Sequence, residues 1–91
     1  MTKPKYKIII KKKVIKNITK LPNLAQKKLQ LLLDDLRDHG PVQLYWPNYS
    51  KLDKNNYHCH LGYKWVACWQ HHKNTITIEV YYVGSRQNAP Y

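Results

Sequence analysis

Apolar residues recur along this chain in two rhythms, one suited to strands and one to helices. Tyr6 to Ile10 is a short run rich in β-branched residues, which predicts a first strand. Val14, Ile18 and Leu21 then recur at helical spacing within a lysine-rich stretch, predicting a short amphipathic helix that ends before Pro22. Leu29, Leu32, Leu33 and Leu36 form one apolar stripe of a second helix. Pro22 suits its first turn, Gly40 the left-handed position just past its end, and Pro41 prevents continuation. Asp34, Asp35 and Asp38 oppose the macrodipole near the C-terminal end of that helix, a small penalty for which the sequence offers no reason.

Pro41 to Asn56 reads as a loop, with Pro, Asn, Ser and Asp around Trp46, Tyr49 and Leu52. Tyr57 to Leu61 and Trp65 to His71 read as two strands joined by a tight turn at Gly62-Tyr63, where glycine in first position fits a type II′ hairpin. Thr75 to Val83 is a further strand with Ile76, Ile78 and Val80 pointing inward, and Gly84 ends it. The order is β-α-α-β-β-β. Its predicted form is an α+β domain in which two N-terminal helices pack on one face of a small, mostly antiparallel sheet. The other face is left free for a ligand.

Ninety-one residues, 43% of them hydrophobic, support one domain over 1–91 with a single core. Sixteen Lys and Arg against five Asp and Glu give a net charge of +11. Such a surplus favours a polyanionic partner, because neutralising phosphates releases condensed counterions. Solubility alone needs much less charge. The run Ile8-Ile9-Ile10 is too short for a signal-peptide core or a spanning helix, so the expectation is a soluble, cytoplasmic protein with no membrane partner. Eight lysines lie in the first twenty residues, interleaved with apolar positions, which argues that the segment folds. The two cysteines, Cys59 and Cys68, read as buried, reduced thiols.

Candidate chemistry begins at Tyr57-His58-Cys59-His60. On a strand His58 and His60 project to one face and Cys59 to the other. A zinc site would need Cys68, His71 or His72 to complete it, but no C-x-x-C or H-x-x-x-H spacing is present, so no metal and no other cofactor is expected. Two further readings stay open: ordinary surface histidines, and acid–base work on RNA. Metal-free RNA cleavage needs a base for the 2′-hydroxyl, cations for the charge gathering at phosphorus, and an acid for the departing 5′-oxygen. Histidine suits both proton transfers, since its ordinary pKa of ~6.5 allows either state near neutrality. Lys51, Lys54, Lys64 and Arg86 are the phosphate clamps available near this strand. Trp46, Tyr49, Tyr81 and Tyr91 are candidates for stacking on bases. Arg37 reads as part of a solvated helix face, and Trp65 or Trp69 as structural.

At these residues the sequence resembles the RelE/ParE superfamily of toxin–antitoxin toxins, in particular the RelE-type translational repressors close to the HigB group. The resemblance runs over nearly the whole chain. It is carried by Lys20-Leu21-Pro22, Trp46-Pro47-Asn48-Tyr49-Ser50-Lys51-Leu52, Tyr57-His58-Cys59-His60-Leu61, Val80-Tyr81-Tyr82-Val83-Gly84 and Ala89-Pro90-Tyr91. It implies an mRNA interferase that enters the ribosomal A site and cuts the message through the 2′-hydroxyl, leaving a cyclic phosphate. The family's two basic strand residues match His58 and His60, its next-strand basic residue matches Lys64, its arginine beyond the strand matches Arg86, and its C-terminal tyrosine matches Tyr91. Lys51 and Lys54 fall where basic residues approach ribosomal RNA or message. RelE itself carries lysines where this chain carries histidines, which leaves the identity of the base open.

The resemblance also implies a cognate antitoxin, expected to be a helix-turn-helix protein. Two other functions share the same framework. One is a non-catalytic ParE-like inhibitor that binds a protein such as DNA gyrase, against which Arg86 and Tyr91 weigh. The other is a degenerate toxin that only binds RNA or represses its operon. Fold alone does not choose between them.

Overall fold

The computed structural model describes residues 5–91. Strand β1 (Lys7–Ile10) leads into helix α1 (Lys12–Ile18) and helix α2 (Asn23–His39), followed by strands β2 (Ser50–Lys51), β3 (Asn56–His60), β4 (Trp65–His71) and β5 (Thr77–Ser85). The five strands make one sheet in the order β1-β5-β4-β3-β2. All pairings are antiparallel except β1 with β5, which run parallel with Ile8 opposite Ile78. The α+β architecture and its element order therefore match the sequence reading, with one short edge strand added inside the predicted loop. Among the described residues, no helix is long and apolar enough to cross a membrane.

One face of the sheet supplies the core. Tyr57, Cys59 and Leu61, then Ala67 and Trp69, then Ile78, Val80 and Val83 meet Leu29, Leu32, Leu33 and Leu36 of α2 and Val14 of α1. The leucine stripe predicted from periodicity is thus the buried face of α2. Trp69 is fully buried, and its indole N–H donates to the Pro41 carbonyl at 3.0 Å. Its ring stacks near Tyr57 and Tyr49, with centroids 6.1 and 6.3 Å away.

The end of α2 accounts for two of its three aspartates. Asp34 pairs with Arg37 at 3.1 Å, and Asp35 accepts the indole N–H of Trp46 at 2.8 Å. Gln43 folds back so that its side-chain amide donates to the carbonyls of Asp35 and Gly40, closing the helix terminus. Gly40 has φ +93°, and a β-carbon there would lie 2.8 Å from the Tyr6 ring. Both the backbone and the close ring require glycine.

Three local expectations are corrected. The hairpin between β3 and β4 is not a two-residue II′ turn. Leu61 N–H donates to the Trp65 carbonyl, so Gly62, Tyr63 and Lys64 form a three-residue loop. Ile76 is exposed and precedes β5, so it does not join Ile78 and Val80 in the core. Gly84 does not end its strand either: it pairs with Val66 inside β5. Glycine is needed there because the Tyr82 ring lies across it, with the Tyr82 hydroxyl 2.9 Å from where a β-carbon would be and bonded to the Ser85 carbonyl at 2.7 Å.

Leu32→Ala empties a fully buried position and should cost about 2–5 kcal/mol in chemical denaturation. Ile15→Ala, on the exposed side of α1, should change stability by less than about 0.5 kcal/mol. Equal effects would mean that α1 and α2 bury other faces.

Candidate functional site

Strand alternation builds the site on the sheet face opposite the core. With Tyr57, Cys59 and Leu61 committed to the helices, His58 and His60 project the other way, their ring centroids 5.8 Å apart. Across the sheet, His58 stands beside Cys68 and Tyr82, and His60 beside Val66 and Gly84. This face is not simply free, as the sequence reading had it. His58 is 8% and His60 9% exposed, because the chain before β2 and the tail after β5 close over them.

Each histidine has a polar partner from the segment leading into β2. The Ser50 hydroxyl lies 3.0 Å from His58 Nδ1, and the Asn48 side-chain nitrogen 3.2 Å from His60 Nδ1. Asn48 has φ +52°, a left-handed conformation that asparagine tolerates better than most residues. The same Asn48 nitrogen lies 3.4 Å from His60 Nε2, so its amide can donate to whichever ring nitrogen of the neutral imidazole lacks a proton. Electrostatics agree. Burial, then the neighbouring His60, holds the His58 pKa below its ordinary value. Burial, then the Arg86 guanidinium, does the same for His60. Both rings are neutral near pH 7 and able to accept a proton.

The tail supplies the other groups. Arg86 follows β5 directly, and its N–H donates to the Lys64 carbonyl at 2.7 Å, tying the start of the tail to the β3–β4 loop. The Arg86 side chain is exposed and stands close enough to His60 to act on it, while the exposed Lys64 side chain borders Pro22 and Leu24 at the start of α2. Five residues on, the Tyr91 ring covers His58 with a centroid distance of 4.3 Å. Burial raises the Tyr91 pKa, which keeps its hydroxyl protonated.

Tyr81 reaches this face through a β-bulge. Cys68 pairs with Tyr82 but Trp69 with Val80, so Tyr81 is an extra residue. A bulge re-aims side chains; here it lets Tyr81 join Tyr91 around a pocket of about 470 Å³ while Val80 and Val83 stay in the core. Burial pushes the Tyr81 hydroxyl up to about 12.

The structure therefore brings together His58, His60, Arg86, Lys64, Tyr91 and Tyr81, with Lys54 exposed on the β2–β3 turn. It places three other candidates elsewhere. Lys51 pairs with Tyr57 and sits 5.8 Å from that ring, in the alternation opposite to the histidines. Tyr49 stacks with Tyr57 and Trp69 against the core. Trp46 is bonded to Asp35 and lines a separate cavity of about 700 Å³ between α2 and residues 42–47, which reaches His60 at one end. Tyr49 is thus packed against the core, whereas Trp46, held by Asp35, keeps a face on the cavity that reaches His60. Asn48 and Ser50, the partners of the histidines, were not singled out in the sequence. Only the left-handed turn and the short edge strand reveal them.

Cys59 and Cys68 are both free and fully buried, and burial raises both thiols, Cys68 to about 12. Among the described residues, no three His, Cys, Asp or Glu side chains gather as a metal site would require. What the arrangement can do is acid–base chemistry with anion binding: two imidazoles that favour the neutral form, the Arg86 guanidinium and a protonated phenol on one face.

No family model and no curated protein matches the sequence. Solved structures do match the fold. A chain of the archaeal RelE–RelB complex from Pyrococcus horikoshii superimposes with a TM-score of 0.79 and 21% identity, over 93% of this chain and 99% of that one. The isolated E. coli RelE toxin gives 0.72 and 15%, over 93% and 88%. A chain of the E. coli DinJ–YafQ toxin–antitoxin complex gives 0.65 and 16%, over 96% and 99%. The chain has the fold of these toxins.

A group whose folded pKa is depressed contributes stability above its unfolded pKa, and that stability is lost as pH falls through the folded value. Both histidines are of this kind, so stability should decline as pH drops below 6.5. Replacing both with Gln should flatten that decline in urea midpoints measured from pH 7.5 to 5. An unchanged slope would show that the rings are not held neutral.

Proposed function

We propose that this chain is the toxin of a toxin–antitoxin pair and acts as a ribosome-dependent mRNA endoribonuclease. The observation that carries the reading is the meeting of two neutral histidines with Arg86 and Tyr91 on one sheet face. The fold shared with RelE and YafQ supports it, and so does the net charge of +11.

In this reading a neutral imidazole, His60 or His58, takes the proton of a 2′-hydroxyl, whose oxygen attacks the adjacent phosphorus. Arg86, with Lys64 beside it, binds the phosphate and offsets the charge that builds on its oxygens. The other imidazole, once protonated, or the Tyr91 hydroxyl passes a proton to the departing 5′-oxygen. The products are a 2′,3′-cyclic phosphate and a free 5′-hydroxyl, with no metal in the balance. Tyr91 also holds the nucleotide in place by stacking. The lysines on α1 and the turn residue Lys54 supply general attraction to RNA, which salt weakens. An antitoxin is the natural partner, since such a surface is harmful when uncovered. The two complexes with this fold, RelE–RelB and DinJ–YafQ, supply the precedent.

The test is cleavage of a defined message on programmed ribosomes, with end-group analysis of the products. His58→Ala, His60→Ala and Arg86→Ala should each slow cleavage by roughly 10²–10⁴-fold, the usual span for a proton-transfer group. Tyr91→Phe should be milder than Tyr91→Ala. Chelation of divalent ions from a ribosome-free assay should leave any residual cleavage intact. Full activity in all of the alanine variants would overturn the proposal. Growth arrest with intact message and gyrase-linked DNA breaks would point to a protein-binding inhibitor instead.

A further inference from the structure

Two strand residues beyond His58, roughly 6.8 Å along β3, the same face opens into the pocket of about 470 Å³ bounded by Tyr81 and Tyr91. Asn56 and Gln70 lie on its floor as a directly opposed cross-strand pair. Asp53 stands at one end and Lys11 at the other. None of these four takes part in the cleavage chemistry, yet their arrangement has a definite polarity.

Asp53 Oδ1 accepts the N–H groups of Asn55 and Asn56, at 3.1 Å each. The Asn56 side-chain nitrogen donates to both carboxylate oxygens, at 2.8 and 3.0 Å. These bonds, the Asn55 N–H foremost, keep the carboxyl below its usual pKa and fix its orientation. One side-chain N–H of Asn56 is shared between the two carboxylate oxygens, which leaves its second N–H, its carbonyl oxygen and a lone pair of Asp53 Oδ2. Gln70 adds an amide that can donate and accept. The Asp53–Asn56 end of the pocket therefore carries a fixed negative charge, while Lys11 supplies a cation at the opposite rim and two phenol rings stand between.

A nucleobase fits that description. Its faces stack on tyrosine, its flanking phosphate meets a lysine, and an exocyclic amine finds acceptors. Adenine, cytosine and guanine each carry such an amine. Uracil does not: its single edge donor, N3–H, is flanked by two carbonyl oxygens that the Asp53 carboxylate repels. We infer that this pocket is a base-reading subsite that takes an amine-bearing base next to the cleaved phosphate and rejects uracil. The inference rests on the proposed RNA cleavage for its setting, though the pocket's preference can be measured without it.

Messages should be prepared in which each nucleotide flanking the cleaved bond is varied in turn through all four bases. At one of these positions uridine should be cut roughly tenfold more slowly than the rest, the size of one good base-edge contact. Asp53→Asn keeps an oxygen for the turn but puts a donor where Oδ2 stood, so it should erase or reverse the discrimination. Gln70→Ala should reduce it, and both variants should keep the parent's thermal midpoint. Uridine cut as fast as the other bases, or discrimination untouched in both variants, would overturn the inference. Uncleavable 2′-deoxy oligonucleotides separate the two claims. If no message is cut, tighter binding of deoxyadenosine than deoxyuridine at one position, lost in Asp53→Asn, still supports the subsite. Equal binding rejects it.

Discussion

The buried indole of Trp69 is the constraint on which the candidate site depends. It lies in the middle of the sheet, is fully buried, and is bonded to the Pro41 carbonyl where the chain leaves α2. Through its stacking with Tyr49 it also fixes the segment that follows. That segment carries Asn48 and Ser50, the two residues that face His60 and His58. The core and the histidines are thus coupled by one short stretch of chain, so the protonation state of the site is set partly by packing on the far side of the sheet.

Much of this was legible in the sequence for a simple reason. Helix periodicity and strand alternation are local, and Leu29 to Leu36 and Tyr57 to Leu61 obey them without exception. The same alternation that buries Cys59 is what places His58 and His60 together. The glycine at 84 misled because its cause is a side chain and not the backbone: the tyrosine ring two residues earlier folds across it and needs the space. Trp46 and Tyr49 misled for a related reason. An aromatic residue in a loop can be a ligand platform or a clamp for the loop itself, and only the positions of Asp35 and Trp69 decide. The bulge at Tyr81 left no mark in the sequence, since it exists only relative to β4.

Charge divides into two populations. The lysines of α1 are exposed, with Lys13 bordering Tyr81 and Tyr82, a diffuse field suited to a large anionic partner. Arg86 is different in kind: it is tied by its backbone to the β3–β4 loop and is close enough to depress the His60 pKa. One cation therefore tunes the histidine beside it, while the others make a general positive surface.

The placement of β5 has a further consequence. It is made after the other four strands, yet it occupies the interior of the sheet, between β1 and β4. Until it emerges, β1 has no strand to pair with, and the helices have only part of a floor to pack on. Long-range pairing of this sort is slow compared with helix formation. A chain still being synthesised consequently holds its histidines in an unfinished sheet, without Arg86 or Tyr91, and has no assembled site.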